Sequence, residues 1–306
     1  MGTTYGMLLK VPVSVNYHFT RRCNKACGFC FHTATTSHIE DLPRQKQALQ
    51  LLARAGMRKI NFAGGEPFLY PKQLGAMVDY CKRELRLESV SIVTNGSKVT
   101  ESFLRQHGAN LDILAVSCDS FNEATNTAIG RGSGDQVAQL YRVAAWCRAH
   151  GVRFKLNTVV NRLNAGEDMN AHVAALRPFR WKCFQVLLVR GENDDPAGAT
   201  LRNAHKFTIS DAEFEGFCER HRGQEGLVPE PNRLMAKSYL ILDEYLRFLD
   251  RTGRQPSEPI LEVGVERALE SVYWDEDAFV ERGGLYDWAK PAGETEGCGG
   301  GKELYW

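Results

Sequence analysis

Three cysteines, Cys23, Cys27 and Cys30, lie in the run Cys-Asn-Lys-Ala-Cys-Gly-Phe-Cys at C-x3-C-x2-C spacing. Thiolates this close in sequence can wrap one face of a small metal cluster. A 4Fe-4S cube has four irons and ordinarily takes four thiolates, so three leave one iron open to a small-molecule ligand. The plainer alternative is a structural zinc ion, with His18 or His32 completing the ligand set. The other cysteines, Cys81, Cys118, Cys147, Cys183, Cys218 and Cys298, are scattered singly. That distribution suits a reducing compartment, where a lone cysteine packs as a small hydrophobe.

A second set of residues is cationic. Lys59 and Asn61, then Lys155 and Asn157, lie two apart near the starts of expected strands and therefore share a face, while Arg180 and Lys182 open another strand. A buried cation without a partner costs several kcal/mol, so a ring of Lys59, Lys155, Arg180 and Lys182 makes sense around a polyanion. A nucleoside triphosphate, with about four negative charges, would need several such partners. The alternative is that each side chain sits at an exposed strand end and reaches water along its aliphatic stem.

The elements that must position these groups follow from periodicity. Strands are expected over 14–19, 59–63, 90–94, 113–117, 153–160 and 182–189. Helices are expected over about 44–55, 71–85, from 101, over 135–150 and through 175. Strands alternating with helices imply a parallel sheet with right-handed crossovers. Residues 190–204, rich in Gly, Asn and Asp, read as a long loop. Beyond it come helices from about 210, over about 232–249 and over about 263–272, then a glycine-rich stretch, 293–301. In parallel sheets ligands gather at the carboxyl ends of strands, which places Gly64-Gly65-Glu66-Pro67, Asn95-Gly96 and Ser117 near the cysteines. The glycine pair would let a ligand approach the backbone, and Glu66 can accept a hydrogen bond from an ammonium group.

With 306 residues the chain can hold one large domain, and its formal charge of +1 gives no general attraction to nucleic acid. No interior run is apolar and long enough to span a bilayer, and the first ten residues make no signal peptide or amphipathic anchor. A cytoplasmic protein, without membrane attachment, is expected.

The cysteine loop behind a first strand, with Gly64-Gly65-Glu66-Pro67 at the end of the second, resembles the radical S-adenosylmethionine (SAM) superfamily. Longer strings narrow the resemblance to its viperin-like branch: Val-Ser-Val-Asn-Tyr-His-Phe-Thr, Lys-Ile-Asn-Phe-Ala-Gly-Gly-Glu-Pro-Phe, Arg-Trp-Lys-Cys-Phe-Gln, Ser-Tyr-Leu-Ile-Leu-Asp-Glu-Tyr and Arg-Gly-Gly-Leu-Tyr-Asp-Trp. The likeness runs over about 9–306. It implies an α/β fold, a partial (β/α)6 barrel over 9–190, with a mainly helical C-terminal extension over 191–306 closing over the active site.

The resemblance further implies a 4Fe-4S cluster on Cys23, Cys27 and Cys30, with SAM chelated to its open iron. Phe29 would lie against the adenine and Gly64, Gly65 and Glu66 by the amino group, while Asn95, Ser117 and Arg131 would complete the SAM site. The implied reaction converts CTP or UTP to its 3′-deoxy-3′,4′-didehydro form, an antiviral chain terminator, by 4′-hydrogen abstraction and loss of the 3′-hydroxyl as water. Asn16, Lys59, Asn61, Lys155, Asn157, Arg180, Lys182 and Arg282 match positions that would hold the nucleotide. Tyr239 would pass the final electron and proton, although a tyrosine in an amphipathic helix, as Tyr239 is expected to be, is more often core with its hydroxyl at the rim. An external electron donor is required, and Trp306 matches a tail that recruits iron–sulfur assembly machinery. Two other classes compete. A maturase or GTP-cyclising relative would carry further clustered cysteines, which the C-terminal part lacks, and a non-catalytic antiviral scaffold has no use for an open iron beside a cationic pocket.

Overall fold

Along each strand the residues alternate between apolar and polar, and the sheet turns that alternation into two unlike faces. The computed structural model describes residues 11–195, 197–285 and 288. The strands are β1 (Ser14–His18), β2 (Lys59–Ala63), β3 (Ser89–Thr94), β4 (Ile113–Ser117), β5 (Arg153–Val160), β6 (Arg180–Gln185), β7 (Leu227–Glu230) and β8 (Ile241–Leu242). They form one curled sheet in the order β7-β6-β5-β4-β3-β2-β1-β8, with every adjacent pair parallel. One face carries Val15, Tyr17, Ile60, Phe62, Val90, Ile92, Leu114, Val116, Leu156 and Trp181, all fully buried in the main core. The other carries Asn16, Asn61, Ser91, Lys155, Asn157 and Lys182, held on one side by parallel register: Asn16 beside Asn61, Asn61 beside Ser91, Asn157 beside Lys182.

The helices are α1 (Leu42–Arg54), α2 (Pro71–Asp79), α3 (Glu101–His107), α4 (Glu123–Ile129), α5 (Gln136–Ala149), α6 (Asn170–Leu176), α7 (Asp211–Arg220), α8 (Asn232–Met235), α9 (Ile260–Val263), α10 (Val265–Glu270) and α11 (Glu276–Glu281). Their starts follow local chemistry. Asp41 caps α1 by accepting from the Arg44 amide at 2.9 Å, and Ser210 with Glu213 forms a reciprocal capping box on α7. The helix expected over 71–85 is α2 followed by a π-helical turn, Tyr80–Glu84.

The expected parallel half-barrel is present, and it is longer than six strands. The segment beyond residue 190, expected to be mainly helical, supplies both edge strands. The helix expected over 232–249 is helical only through Met235. Leu240, Ile241 and Leu242 instead satisfy the open edge of β1, with the Asn16 amide donating to the Leu240 carbonyl at 2.9 Å. An unpaired strand edge next to a fully apolar tripeptide outweighs helix propensity. The sixth strand begins at Arg180 and stops at Gln185, because its pairing partner β5 ends at Val160, which lies opposite Gln185. Among the described residues no helix is long and apolar enough to cross a membrane. The glycine-rich stretch 293–301, Cys298 and Trp306 lie outside the described residues.

Candidate active site

The cysteine loop leaves β1 and is pinned from below by the residues after β2. The Gly65 amide donates to the Thr20 carbonyl at 2.7 Å and the Glu66 amide to the Arg22 carbonyl at 2.8 Å. A Cβ on Gly64, whose φ is +134°, would lie 2.3 Å from the Thr20 oxygen, and one on Gly65 would lie 2.1 Å from that of Arg22. The glycines therefore admit the chain's own loop at these two positions. Glu66, fully buried, accepts from the Phe68 amide at 3.0 Å, the Thr94 hydroxyl at 2.7 Å and the Asn95 amide at 2.7 Å. Its carboxylate braces β2 against β3.

From the other side the loop rests on the end of α4. The Ala26 amide donates to the Gly130 carbonyl and the Gly28 amide to that of Ile129, each at 2.9 Å. Phe29 is buried edge-on to Phe207, centroids 5.6 Å apart, within a small apolar set that includes Ile129 and Val186. Its ring thus packs inside the protein, because Phe207 already occupies the surface beside it. Asn95 reaches the loop, donating to Asn24 at 3.0 Å and lying 3.8 Å from the Cys23 sulfur. Ser117 ends β4 half-buried, and Arg131 is buried in an ion pair with Asp119. Burial opposes the Arg131 charge, but Asp119 and Cys27 together hold its pKa above that of an ordinary arginine.

The chemistry of the donor set can be tested on the loop itself. Cys23, Cys27 and Cys30 carry no disulfide. Burial pushes the Cys30 thiol up to about 12, with Cys27 adding to it, so coordination must displace protons. Among the described residues no three or more Cys, His, Asp or Glu side chains converge as they would on a single metal ion. His18 and His32 pack on each other, centroids 4.5 Å apart, and the buried His32 lies 4.0 Å from Glu244. Neither is gathered with the three sulfurs. Three soft thiols on one loop, without a converging imidazole, fit a cluster better than a lone zinc ion.

A cavity opens on the polar face of the sheet, lined by Lys59, Lys155, Lys182, Arg282, Asn16 and Tyr239 among others, and by no acidic residue among the described residues. Asn61 donates to Asn16 at 2.8 Å and accepts from Ser91 at 2.9 Å, a chain of hydrogen bonds that fixes these amides. Asn157 and Arg180 share the face with Lys155 and Lys182 but are not among the lining residues. Burial, reinforced by neighbouring cations, holds Lys59 and Lys155 well below the ordinary lysine range and brings Lys182 down to about 8. Tyr239, in the turn before β8 and not on a helix, receives a hydrogen bond from Lys182 at 3.3 Å, and the Arg282 guanidinium stacks 3.8 Å over its ring.

Sequence reasoning missed Glu230, Asp119 and Glu192. Glu230 is fully buried on β7 and pairs with Lys182. Pro229 beside it argues against a strand, except at a sheet edge, which is where β7 lies. Glu192 accepts from Arg21 at 2.8 Å and from the Thr33 amide at 3.1 Å, tying the segment after β6 to the one after the cysteines.

The half-barrel with a cysteine loop at the carboxyl end of its first strand defines a class. The model of the Radical SAM superfamily matches residues 17–176, and the chain belongs to that superfamily. Within it, the chain is 55% identical over 286 residues to a protein of Danio rerio named S-adenosylmethionine-dependent nucleotide dehydratase RSAD2, covering 91% of this chain and 79% of that one. A Flammeovirga pacifica protein named S-adenosylmethionine-dependent nucleotide dehydratase is 36% identical over 287 residues, covering 90% and 96%. Among solved structures, Streptococcus suis SuiB bound to S-adenosylmethionine superposes with a TM-score of 0.65 at 14% identity, covering 89% and 68%, a likeness of fold alone.

Proposed function

We propose that this chain is a radical SAM nucleotide dehydratase that converts CTP or UTP to the 3′-deoxy-3′,4′-didehydro analogue. The observation that carries the reading is the cavity lined by Lys59, Lys155, Lys182 and Arg282, with no carboxylate among its described lining residues, on the polar face of the sheet. Four basic side chains gathered on one cavity suit a polyanionic ligand. The names of the relatives supply the substrate class.

Cys23, Cys27 and Cys30 would hold a 4Fe-4S cluster, which together with SAM would supply the hydrogen-abstracting radical chemistry. The chain's own residues do the rest. Lys59 opens β2, and Lys155 and Lys182 are third in β5 and β6, so the phosphate chain sits toward the amino ends of the strands. A five-residue strand spans about 16 Å at ~3.3 Å per residue. That length carries the ribose from the lysines to the carboxyl ends, where the loop lies. Asn16 and Asn61 orient the sugar through fixed amides, with Asn157 and Arg180 flanking. Tyr239 delivers a proton and an electron as the 3′-hydroxyl leaves as water. An external donor would then return one electron, with a proton from solvent, to Tyr239 and supply a second electron for the next SAM cleavage.

SAM is held by the loop backbone around Gly64 and Gly65, with Asn95, Ser117 and Arg131 beside it and Phe29 and Glu66 supporting from within. Of the described residues, those up to 190 form the partial barrel, and Arg282, from the segment beyond, lines the cavity and closes the site. The protein acts in the cytoplasm, and its C-terminal Trp306 meets the iron–sulfur assembly machinery.

The test is anaerobic reconstitution with SAM, a reductant and each ribonucleoside triphosphate separately. One pyrimidine triphosphate should raise 5′-deoxyadenosine sharply and lose the mass of water. Slow, equal SAM cleavage whatever is added would remove the proposed substrate.

A further inference from the structure

Glu230, which the proposed reaction leaves without a role, stands at the centre of an assembly of residues that the reaction uses. It lies on β7, one strand beyond Lys182, and is completely buried. Its Oε1 accepts from Lys182, from the Tyr239 hydroxyl at 3.2 Å and from Arg282 at 3.4 Å. Its Oε2 is buried with no hydrogen-bond partner among the described residues. Three donors thus crowd one oxygen while the other goes unsatisfied, an arrangement that holds charge without holding it well. Burial works to raise the Glu230 carboxyl, yet Lys182 and Arg282 outweigh it and it stays ionised.

Lys182 and Arg282 both line the cavity and both pair with Glu230. A phosphate chain entering the cavity must share or take those cations, and two anions on the same pair of cations repel each other. Arg282 is also tied to the Ser238 hydroxyl at 2.6 Å, so it can change its anionic partner without leaving its place.

We infer that Glu230 is the pocket's internal counter-anion, a positioning residue that holds Lys182, Arg282 and Tyr239 together in the empty protein and competes with the phosphate chain for the two cations. The inference rests on the nucleotide reading above. It has a counterintuitive consequence: removing this buried charge strengthens phosphate binding while weakening the empty fold.

The experiment titrates inorganic tripolyphosphate, then CTP and UTP, into the reconstituted protein with SAM present, comparing wild type with Glu230→Gln and Glu230→Asp. Glu230→Gln keeps an acceptor for Tyr239 and loses the charge. It should bind tripolyphosphate about tenfold tighter, and its melting midpoint should fall without ligand and recover at saturation. Glu230→Asp keeps the charge and should bind within about threefold of wild type, which serves if the glutamine variant does not fold. Wild-type binding with unchanged or weaker binding in Glu230→Gln, or more than tenfold tighter binding in Glu230→Asp, overturns the inference alone. Absence of any binding to wild type removes the nucleotide reading and the inference with it.

Discussion

The Gly65 amide donates to the Thr20 carbonyl across 2.7 Å, and this one bond joins the end of β2 to the start of the cysteine loop. The glycine is there because the loop backbone crosses it, so the motif and the cysteines form one rigid unit.

Gly65→Ala places a methyl group 2.1 Å from the Arg22 carbonyl oxygen, where both groups are backbone-anchored and cannot yield cheaply. A destabilisation of about 1–3 kcal/mol is expected, concentrated on the loop. Iron content after reconstitution should drop well below wild type, as read by metal analysis and visible absorbance. Full iron loading would show that the crossing tolerates a side chain.

Nucleotide binding should consume protons. Lys59 and Lys155 are held well below the usual lysine range and Lys182 near 8 in the empty pocket, and a bound triphosphate favours the ammonium form and raises all three. Below the empty-pocket values the lysines are already charged, and affinity is flat with pH. Between the empty and bound values, affinity weakens as pH rises. Calorimetry at about pH 8 in buffers of different ionisation enthalpy should report net proton uptake, reduced in Lys155→Met. Zero uptake would contradict the burial of neutral lysines.

Asp119→Asn leaves Arg131 buried without its carboxylate partner, a loss of about 3–5 kcal/mol by analogy with other broken buried pairs. The denaturation midpoint should fall accordingly. Arg131→Lys keeps the charge and loses the planar fork, and should weaken SAM binding about tenfold while tripolyphosphate affinity holds. A SAM affinity unchanged in Arg131→Lys would restrict Arg131 to a structural role.

Tyr239→Phe removes the hydroxyl that Lys182 and Glu230 hold, leaving the ring under Arg282. SAM cleavage should continue while the ratio of nucleotide product to 5′-deoxyadenosine falls about tenfold or more, roughly 1.4 kcal/mol in partitioning. Chromatographic quantification of both products decides it, and an unchanged ratio would return Tyr239 to packing.

Much of the architecture was legible because β1 to β6 announce themselves by period and by the helices between them. β4 and β5 begin and end where the sequence places them, at Ile113–Ser117 and Arg153–Val160. The edge strands were not, for local reasons. β8 is two residues long inside a stretch with helical spacing, and β7 contains Pro229. Only the open edges of β1 and β6 make strands of them, and those edges exist only in the folded chain. The cationic face was readable from the spacing of Lys59 with Asn61 and Lys155 with Asn157. Its counter-charge was not, because Glu230 meets Lys182 across 48 residues and no sequence pattern links them. Phe29 and Glu66 show what motif position does not reveal: the ring packs on Phe207, and the carboxylate accepts from Thr94 and Asn95.

The most direct measurement uses CTP and UTP carrying deuterium at the ribose 4′ carbon, incubated anaerobically with the reconstituted protein, SAM and a reductant. The account predicts that 5′-deoxyadenosine gains one mass unit with one of the two, in step with formation of a product lighter by water and lacking the label. Deoxyadenosine formed without the label, alongside unchanged nucleotide, would contradict it.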